Sequence, residues 1–247
     1  MLELEALSKS FGGLRAVHEV SFAAVAGGVT SVIGPNGAGK STLFNLISGA
    51  LRPDRGRVRL GGVEITGLPT NRIARMGLAR SFQITNLFAR LSVRENVRLA
   101  LQALEARSGY LVSLGRLARL NARADALLDE FGLLAYATEP ALTLSHGDQR
   151  RLEIAVCMGS TPRVLLLDEP TQGMSPSETA ATDELVKRLA GRVTVVLVEH
   201  DIDLVMGISD KIVVLHQGAK LAEGTPAEVR ADRAVQDAYL GVQDEPA

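Results

Sequence analysis

One stretch constrains this chain more than any other. Gly34 to Thr42 reads GPNGAGKST, which fits G-x-x-x-x-G-K-[ST], and it lies between a short apolar run, Val29 to Ile33, and Leu43, Phe44, Leu46 and Ile47 at helical spacing. Buried strand, glycine loop and helix, in that order, are what a phosphate-binding loop requires. Glycines let backbone N–H groups converge on a phosphate, a helix starting at Lys40 adds the positive end of its dipole, and the Lys40 ammonium reaches the outer phosphates. Ser41 then offers a hydroxyl to Mg²⁺. By pattern alone the stretch also fits an ordinary glycine turn ahead of a helix. The G-x-G-x-x-G fingerprint of dinucleotide-binding folds is absent from the chain.

The remaining periodicities predict the sheet around this loop. Leu2, Leu4 and Ala6 alternate with Glu3 and Glu5, as a half-exposed strand does. The runs VLLLD ending at Asp168, VTVVLV ending at Val198 and KIVVL from Lys211 are continuously apolar, as strands buried on both faces are. Glycine-punctuated short strands are expected around Arg57 to Gly62. Strands alternating with helices predict an α/β fold with a mainly parallel sheet. Between about Leu91 and Ser145 the strand signals vanish. Amphipathic patterns over Val93 to Leu104 and Leu117 to Phe131 predict a helical subdomain, roughly residues 91–160, inserted in the core. A single domain over 1–241 is expected, with 242–247 a frayed tail.

Composition narrows the classes of function. The 247 residues, 46% hydrophobic and 22% charged, can bury an ordinary core. Basic and acidic residues, 27 against 28, leave a formal charge of -1, so no bulk positive field exists to hold nucleic acid or anionic lipid. The single cysteine, Cys157, excludes an internal disulfide or cysteine zinc cluster and is expected in the core. Val20 to Gly39 is the longest uncharged stretch, but Gly27, Gly28, Gly34, Pro35, Asn36 and Gly37 interrupt it, so it does not read as a bilayer span. The start, MLELEALSKS, has no signal-peptide pattern, and a cytoplasmic location is expected.

Other residues carry chemistry only in company. Asp168 and Glu169 follow a predicted buried strand at the edge where open α/β sheets bind ligands; one acid suits Mg²⁺ and the next can polarise water. Taken alone, such a pair serves equally well as a helix N-cap. His200, ending LVEH, is expected to close another strand on the same edge and suits a γ-phosphate sensor, although a lone histidine there is commonly structural. Gln83, in ARSFQ at the entry to the helical insert, can contact Mg²⁺-bound water, or be an ordinary surface glutamine. Ser145 and Gly147, in LSHGDQRRLEIA, open a helix whose N-terminus attracts an anion; the plain alternative is a serine N-cap.

In this order the five features resemble the nucleotide-binding subunit of ATP-binding cassette (ABC) transporters, from about Leu2 to Gly241. The resemblance implies a P-loop NTPase core of ABC type, an N-terminal antiparallel β subdomain and an inserted helical subdomain. It makes GPNGAGKST the Walker A motif, so that Gly34, Pro35, Asn36, Gly37, Ala38, Gly39, Lys40, Ser41 and Thr42 bind ATP. It makes Gln83 the Q-loop, LSHGD the signature with Ser145 and Gly147 on the γ-phosphate, VLLLDE the Walker B and His200 the switch histidine. Ser41, Gln83 and Asp168 then hold Mg²⁺, and Glu169, His200 and Gln83 act in hydrolysis. Phe11, in KSFGG, matches the aromatic position that stacks on adenine; as a bare sequence feature it would be a core residue. Two subunits of this family oppose head to tail, each signature covering the other's ATP, so a second ATP-binding subunit, itself or a paralogue, is implied. The interval from Lys40 to Ser145 suits a compact helical subdomain, not the long coiled coil of the DNA-repair relatives.

Finer likeness, in KSFGGLRAV, ARSFQ, LSHGDQRRLEIA, GMSP and AYLG, is to the ATPases of branched-chain amino acid and amide importers. This implies ATP hydrolysis that drives transmembrane permease subunits from the inner face of the membrane, with a periplasmic solute-binding protein in the full system and no nucleic-acid partner. ATPases of urea importers and lipopolysaccharide exporters share several of these traits, and a soluble non-transport ABC ATPase is the rival from another class. Three departures stand out. His146 and Asp148 replace a glycine and the glutamine of the usual LSGGQ, and Pro176 stands where many relatives have the D-loop aspartate, leaving Ser175 as a substitute.

Overall fold

The computed structural model describes residues 1–81, 87–105 and 114–240. In chain order they form β1 (Leu2–Phe11), β2 (Leu14–Ala23), β3 (Val29–Ile33), α1 (Lys40–Ile47), β4 (Arg55–Leu60), β5 (Val63–Glu64), α2 (Thr70–Arg75) and β6 (Leu78–Arg80). Three helices follow, α3 (Val93–Glu105), α4 (Leu114–Glu130) and α5 (His146–Gly159). Then come β7 (Val164–Asp168), α6 (Pro176–Ala190), β8 (Thr194–Val198), α7 (Ile202–Ile208), β9 (Lys211–His216), β10 (Ala219–Gly224), α8 (Pro226–Ala231) and α9 (Arg233–Leu240).

Two sheets are stacked. One is antiparallel, in the order β2-β1-β4-β5; the other runs β10-β9-β3-β8-β7-β6, parallel from β9 to β6, with β10 antiparallel at its edge. The continuous apolar runs have a direct reason here, because successive side chains of these strands enter two different cores. Leu165, Leu167, Val195, Leu197, Ile212 and Val214 pack with Val97, Leu128, Ile154 and Leu185 of the helices. Their neighbours Val164, Leu166, Val196, Val198, Val213 and Leu215 pack with Leu43, Phe44 and Ile47 of α1 and with Leu2, Val20 and Val58 of the antiparallel sheet. Each such side chain, fully buried, contributes about 1.5–3 kcal/mol over leaving it in water.

The opening alternation breaks at Ala6, which is exposed at φ 45° while Leu7 is buried. A register shift between Leu4 and Leu7 inserts an extra residue, and the Ala6 N–H donates to Ser21 Oγ at 2.7 Å. The bulge moves the later apolar residues to the other parity, which an alternation rule cannot anticipate. Cys157 is half-buried and packs against the helical core, and burial pushes its thiol up to about 12. Among the described residues no helix is long and apolar enough to cross a membrane.

Register fixes where the site forms. Val198 pairs with both Val32 and Asp168, so β3, β8 and β7 end level with one another. The glycine loop, Asp168 with Glu169, and Glu199 with His200 therefore stand along one edge of the sheet.

Candidate active site

The loop between β3 and α1 is pinned from both sides. A Cβ on Gly39, at φ 99°, would stand 2.3 Å from the Ala16 carbonyl oxygen, and one on Gly34 would stand 2.3 Å from that of Leu215. Only glycine lets the loop fit between β2 and the β9–β10 turn. Lys40 is buried and its ammonium donates back to the carbonyls of Gly34 at 2.6 Å and Pro35 at 3.0 Å. Burial pulls its pKa down, while the negative charges of Glu169 and Asp168 pull it up. The N-cap of α1 is Gly39, which supplies no side-chain partner, and no acid stands in the first turn. The amides there, with the exposed Ser41 beside them, are open to an anion.

These residues floor a cleft of about 750 Å³, lined by Asn36 to Thr42, by Phe11, Leu14, Arg15 and Ala16 of the N-terminal hairpin, and by Glu169 and Gln217. Its size suits a nucleotide-sized molecule. Phe11 is 47% exposed, so it is no core residue; Lys9 Nζ lies 5.7 Å from the centroid of its ring.

Asp168 ends β7, 4% exposed, and its Oδ2 accepts from Arg80 Nη2 at 2.9 Å. The same guanidinium donates to Asn45 Oδ1 at 2.7 Å and Ser48 Oγ at 3.0 Å on α1, and lies over Phe44. One cation thus ties β6, β7 and the helix behind the glycine loop. Glu169 has φ 47°, a conformation that costs a non-glycine residue of order 1–3 kcal/mol unless its surroundings hold it. They do: its N–H donates to the Val198 carbonyl at 2.9 Å, and its carbonyl accepts from Arg150 Nη2 at 3.0 Å. Arg150, buried on α5, also donates to the Asp168 carbonyl at 2.5 Å and to Glu153 at 2.6 Å. Neither acid caps the next helix. Ser175 does that, through a capping box with Glu178 and with Pro176 at the first helical position.

His200 lies two residues past β8 instead of closing it. Its side chain is 61% exposed, with Nδ1 3.6 Å from Glu199 Oε2. Gln83 lies outside the described residues. Ser145 and Gly147 do not line the cleft. Ser145 is the N-cap of α5, its Oγ accepting from the Asp148 N–H at 3.1 Å and donating to Asp148 Oδ2 at 2.9 Å. Glu178 is seated against Gly147, where a Cβ would come 2.5 Å from Oε1. Hydrogen bonds from the Ser175 backbone and hydroxyl, joined by the Gly147 amide, hold the Glu178 carboxyl below its usual range. His146 reaches the turn after β7, its Nε2 3.2 Å from the Gln172 carbonyl.

Sequence reasoning missed Arg80, Arg150 and Glu199, and with them Leu14, Arg15, Ala16 and Gln217. A charged residue at the end of an apolar run was the available signal for Arg80 and Glu199. Arg150 is brought in by α5, and the others by hairpins distant in sequence.

The ABC transporter family profile matches residues 17–172, and a profile described as branched-chain amino acid ATP-binding cassette transporter matches residues 219–245. The chain is 44% identical to the high-affinity branched-chain amino acid transport ATP-binding protein LivG of Escherichia coli (strain K12), over 98% of each chain. It is equally similar to BraF of Pseudomonas aeruginosa, which carries the same description, at 44% over 98% of each. Among solved structures it superposes on the ADP conformation of an ATP-binding cassette of an ABC transporter with TM-score 0.86, at 29% identity over 98% of both chains. It also matches a dimeric post-hydrolysis cassette bound to ADP and Pi, with TM-score 0.78 at 27% identity over 92% of this chain and 99% of that one. The fold is that of an ABC-type P-loop ATPase. The chain belongs to the ABC transporter family, as one of its ATP-binding, ATP-hydrolysing subunits.

Proposed function

We propose that this subunit powers the import of branched-chain amino acids or closely related small solutes, bound peripherally to transmembrane permease subunits and paired with a second ATP-binding subunit. The full system would include a periplasmic solute-binding protein. The match of residues 219–245 to the branched-chain amino acid profile is the observation that carries the solute class, because the phosphate chemistry is common to every relative. Leucine uptake by vesicles holding this chain and its permease, supplied with the solute-binding protein, tests it. Uptake that needs both ATP and Lys40 supports the reading, and uptake indifferent to this chain contradicts it.

In and around the ATP cleft the residues divide by role; Asp168 and His200 stand at the same sheet edge but do not line the cleft. Phe11 offers a flat apolar face for the base, and the glycine-loop amides with Lys40 take the β- and γ-phosphates. Asp168 and Ser41 present hard oxygen donors, which fits Mg²⁺, and Gln83 would add a third contact. Mg²⁺, when bound, offsets phosphate charge. Glu169, in the cleft wall next to Asp168, orients the attacking water and accepts its proton, and His200 contacts the γ-phosphate. Ser145 and Gly147, away from the cleft of their own chain, would cover the ATP of the partner subunit. The dimeric state of a solved relative supports that arrangement.

A further inference from the structure

Glu199 is a carboxylate with a side chain 0% exposed, directly after the apolar run Val195 to Val198 of β8. A buried acid of this kind is costly unless hydrogen bonds satisfy it. Three do. Oε1 accepts from both the N–H of Thr171, at 3.1 Å, and its hydroxyl, at 2.7 Å; Oε2 accepts from the His200 N–H at 3.3 Å. Oε2 also lies 3.6 Å from His200 Nδ1, beyond a hydrogen bond but within reach of its field. Thr171 stands two residues after Glu169, whose own N–H is tied to Val198, the residue before Glu199. The same side chain therefore fastens the turn that carries the strained Glu169 and the backbone of His200, with its charge beside the His200 ring.

We propose that Glu199 is a positioning residue for ATP hydrolysis, holding His200 with its proton on Nδ1 and locking the turn that carries Glu169. It rests on the reading of Glu169 and His200 as groups that act on ATP. The tautomer of a histidine is set by the partner of one nitrogen, and a carboxylate beside Nδ1 favours N–H there. Nε2 is then the nitrogen left for phosphate.

The test is the ring nitrogen spectrum of His200 in the wild-type protein, assigned by its loss in His200→Gln and recorded where the ring is neutral. Nδ1–H is expected to dominate over Nε2–H, the form an unconstrained neutral histidine favours. Glu199→Gln should return the ring to Nε2–H and lower kcat about 10–100-fold with ATP affinity within about twofold of wild type. Dominant Nε2–H in the wild type overturns the proposal even if Glu199→Gln fails to fold. Wild-type kcat in Glu199→Gln overturns it too, as does a lower melting temperature with the tautomer and kcat both unmoved, which is what a merely structural Glu199 would give. Full turnover in His200→Gln would instead defeat the reading of His200 itself. Lost turnover in His200→Gln beside full turnover in Glu199→Gln defeats only the role of Glu199.

Discussion

Lys40 is buried, yet the hydrogen bonds its ammonium makes go to the carbonyls of the loop it belongs to, Gly34 and Pro35. Those bonds hold the charge over the loop before any nucleotide arrives, so little ordering of that side chain remains to be done on binding. Lys40→Ala removes the charge and leaves the glycine loop, which β2 and the β9–β10 turn clamp independently. Charge-assisted bonds of this kind contribute about 1.5–3 kcal/mol, so ATP affinity should fall about 10–100-fold while the fold survives. Equilibrium titration with ATP checks it; equal affinity in mutant and wild type contradicts the role. At this scale the sequence was informative wherever one motif supplied neighbouring residues, as from Gly34 to Thr42. It was silent on Arg80, which meets Asp168, Asn45 and Ser48 across three elements, because such a partnership exists only once the chain has folded.

Among the elements, α6 carries a titration with a definite sign. Burial, opposed by Lys187 and reinforced by Glu199, Asp201 and Glu184, pushes Asp183 from 3.8 to about 6. An acid with a raised folded pKa binds more protons folded than unfolded between those values, so its effect on stability worsens as pH rises through them and is complete above about pH 6. Asp183→Asn is uncharged throughout, so it should raise the melting temperature at about pH 8 and by less at about pH 4. Equal increments at both contradict the assignment. On α5, Ser145→Arg should leave ATP binding by the single chain intact, since Ser145 is absent from the cleft lining, but abolish turnover that depends on a second chain. Loss of the cap costs about 1 kcal/mol, which a melting curve separates from the loss of turnover. Normal hydrolysis in the presence of permease contradicts a signature that acts across chains. Strand positions were legible because runs such as Val164 to Leu167 enter two cores at once. The exit from β8 was not, since Glu199 is drawn inward by Thr171 and His200 is left two residues beyond the strand. The bulge at Ala6 escaped for a similar reason, being set by pairing with β2 and not by local pattern.

Across the whole molecule, the proposed function assigns each chain two separate regions, its own ATP cleft and the start of α5. The glycine loop, Asp168 and Glu169 gather at one sheet edge, while the start of α5 faces elsewhere with Glu178 against Gly147 and His146 against Gln172. The start of α5 contacts the turn after β7, and Arg150 of α5 donates to the Asp168 and Glu169 carbonyls. ATP is expected to close two such chains on each other, with Glu169 driving the chemistry that reopens them. Glu169→Gln keeps size and a hydrogen-bonding oxygen and removes the proton acceptor, a loss that typically lowers the rate about 10²–10⁴-fold. Turnover and sedimentation measured on one Glu169→Gln preparation, with and without ATP, test this most directly. Collapsed turnover together with an ATP-dependent dimer that the wild type does not accumulate is the expected result; near-wild-type turnover, or a monomer at saturating ATP, would overturn the role of Glu169.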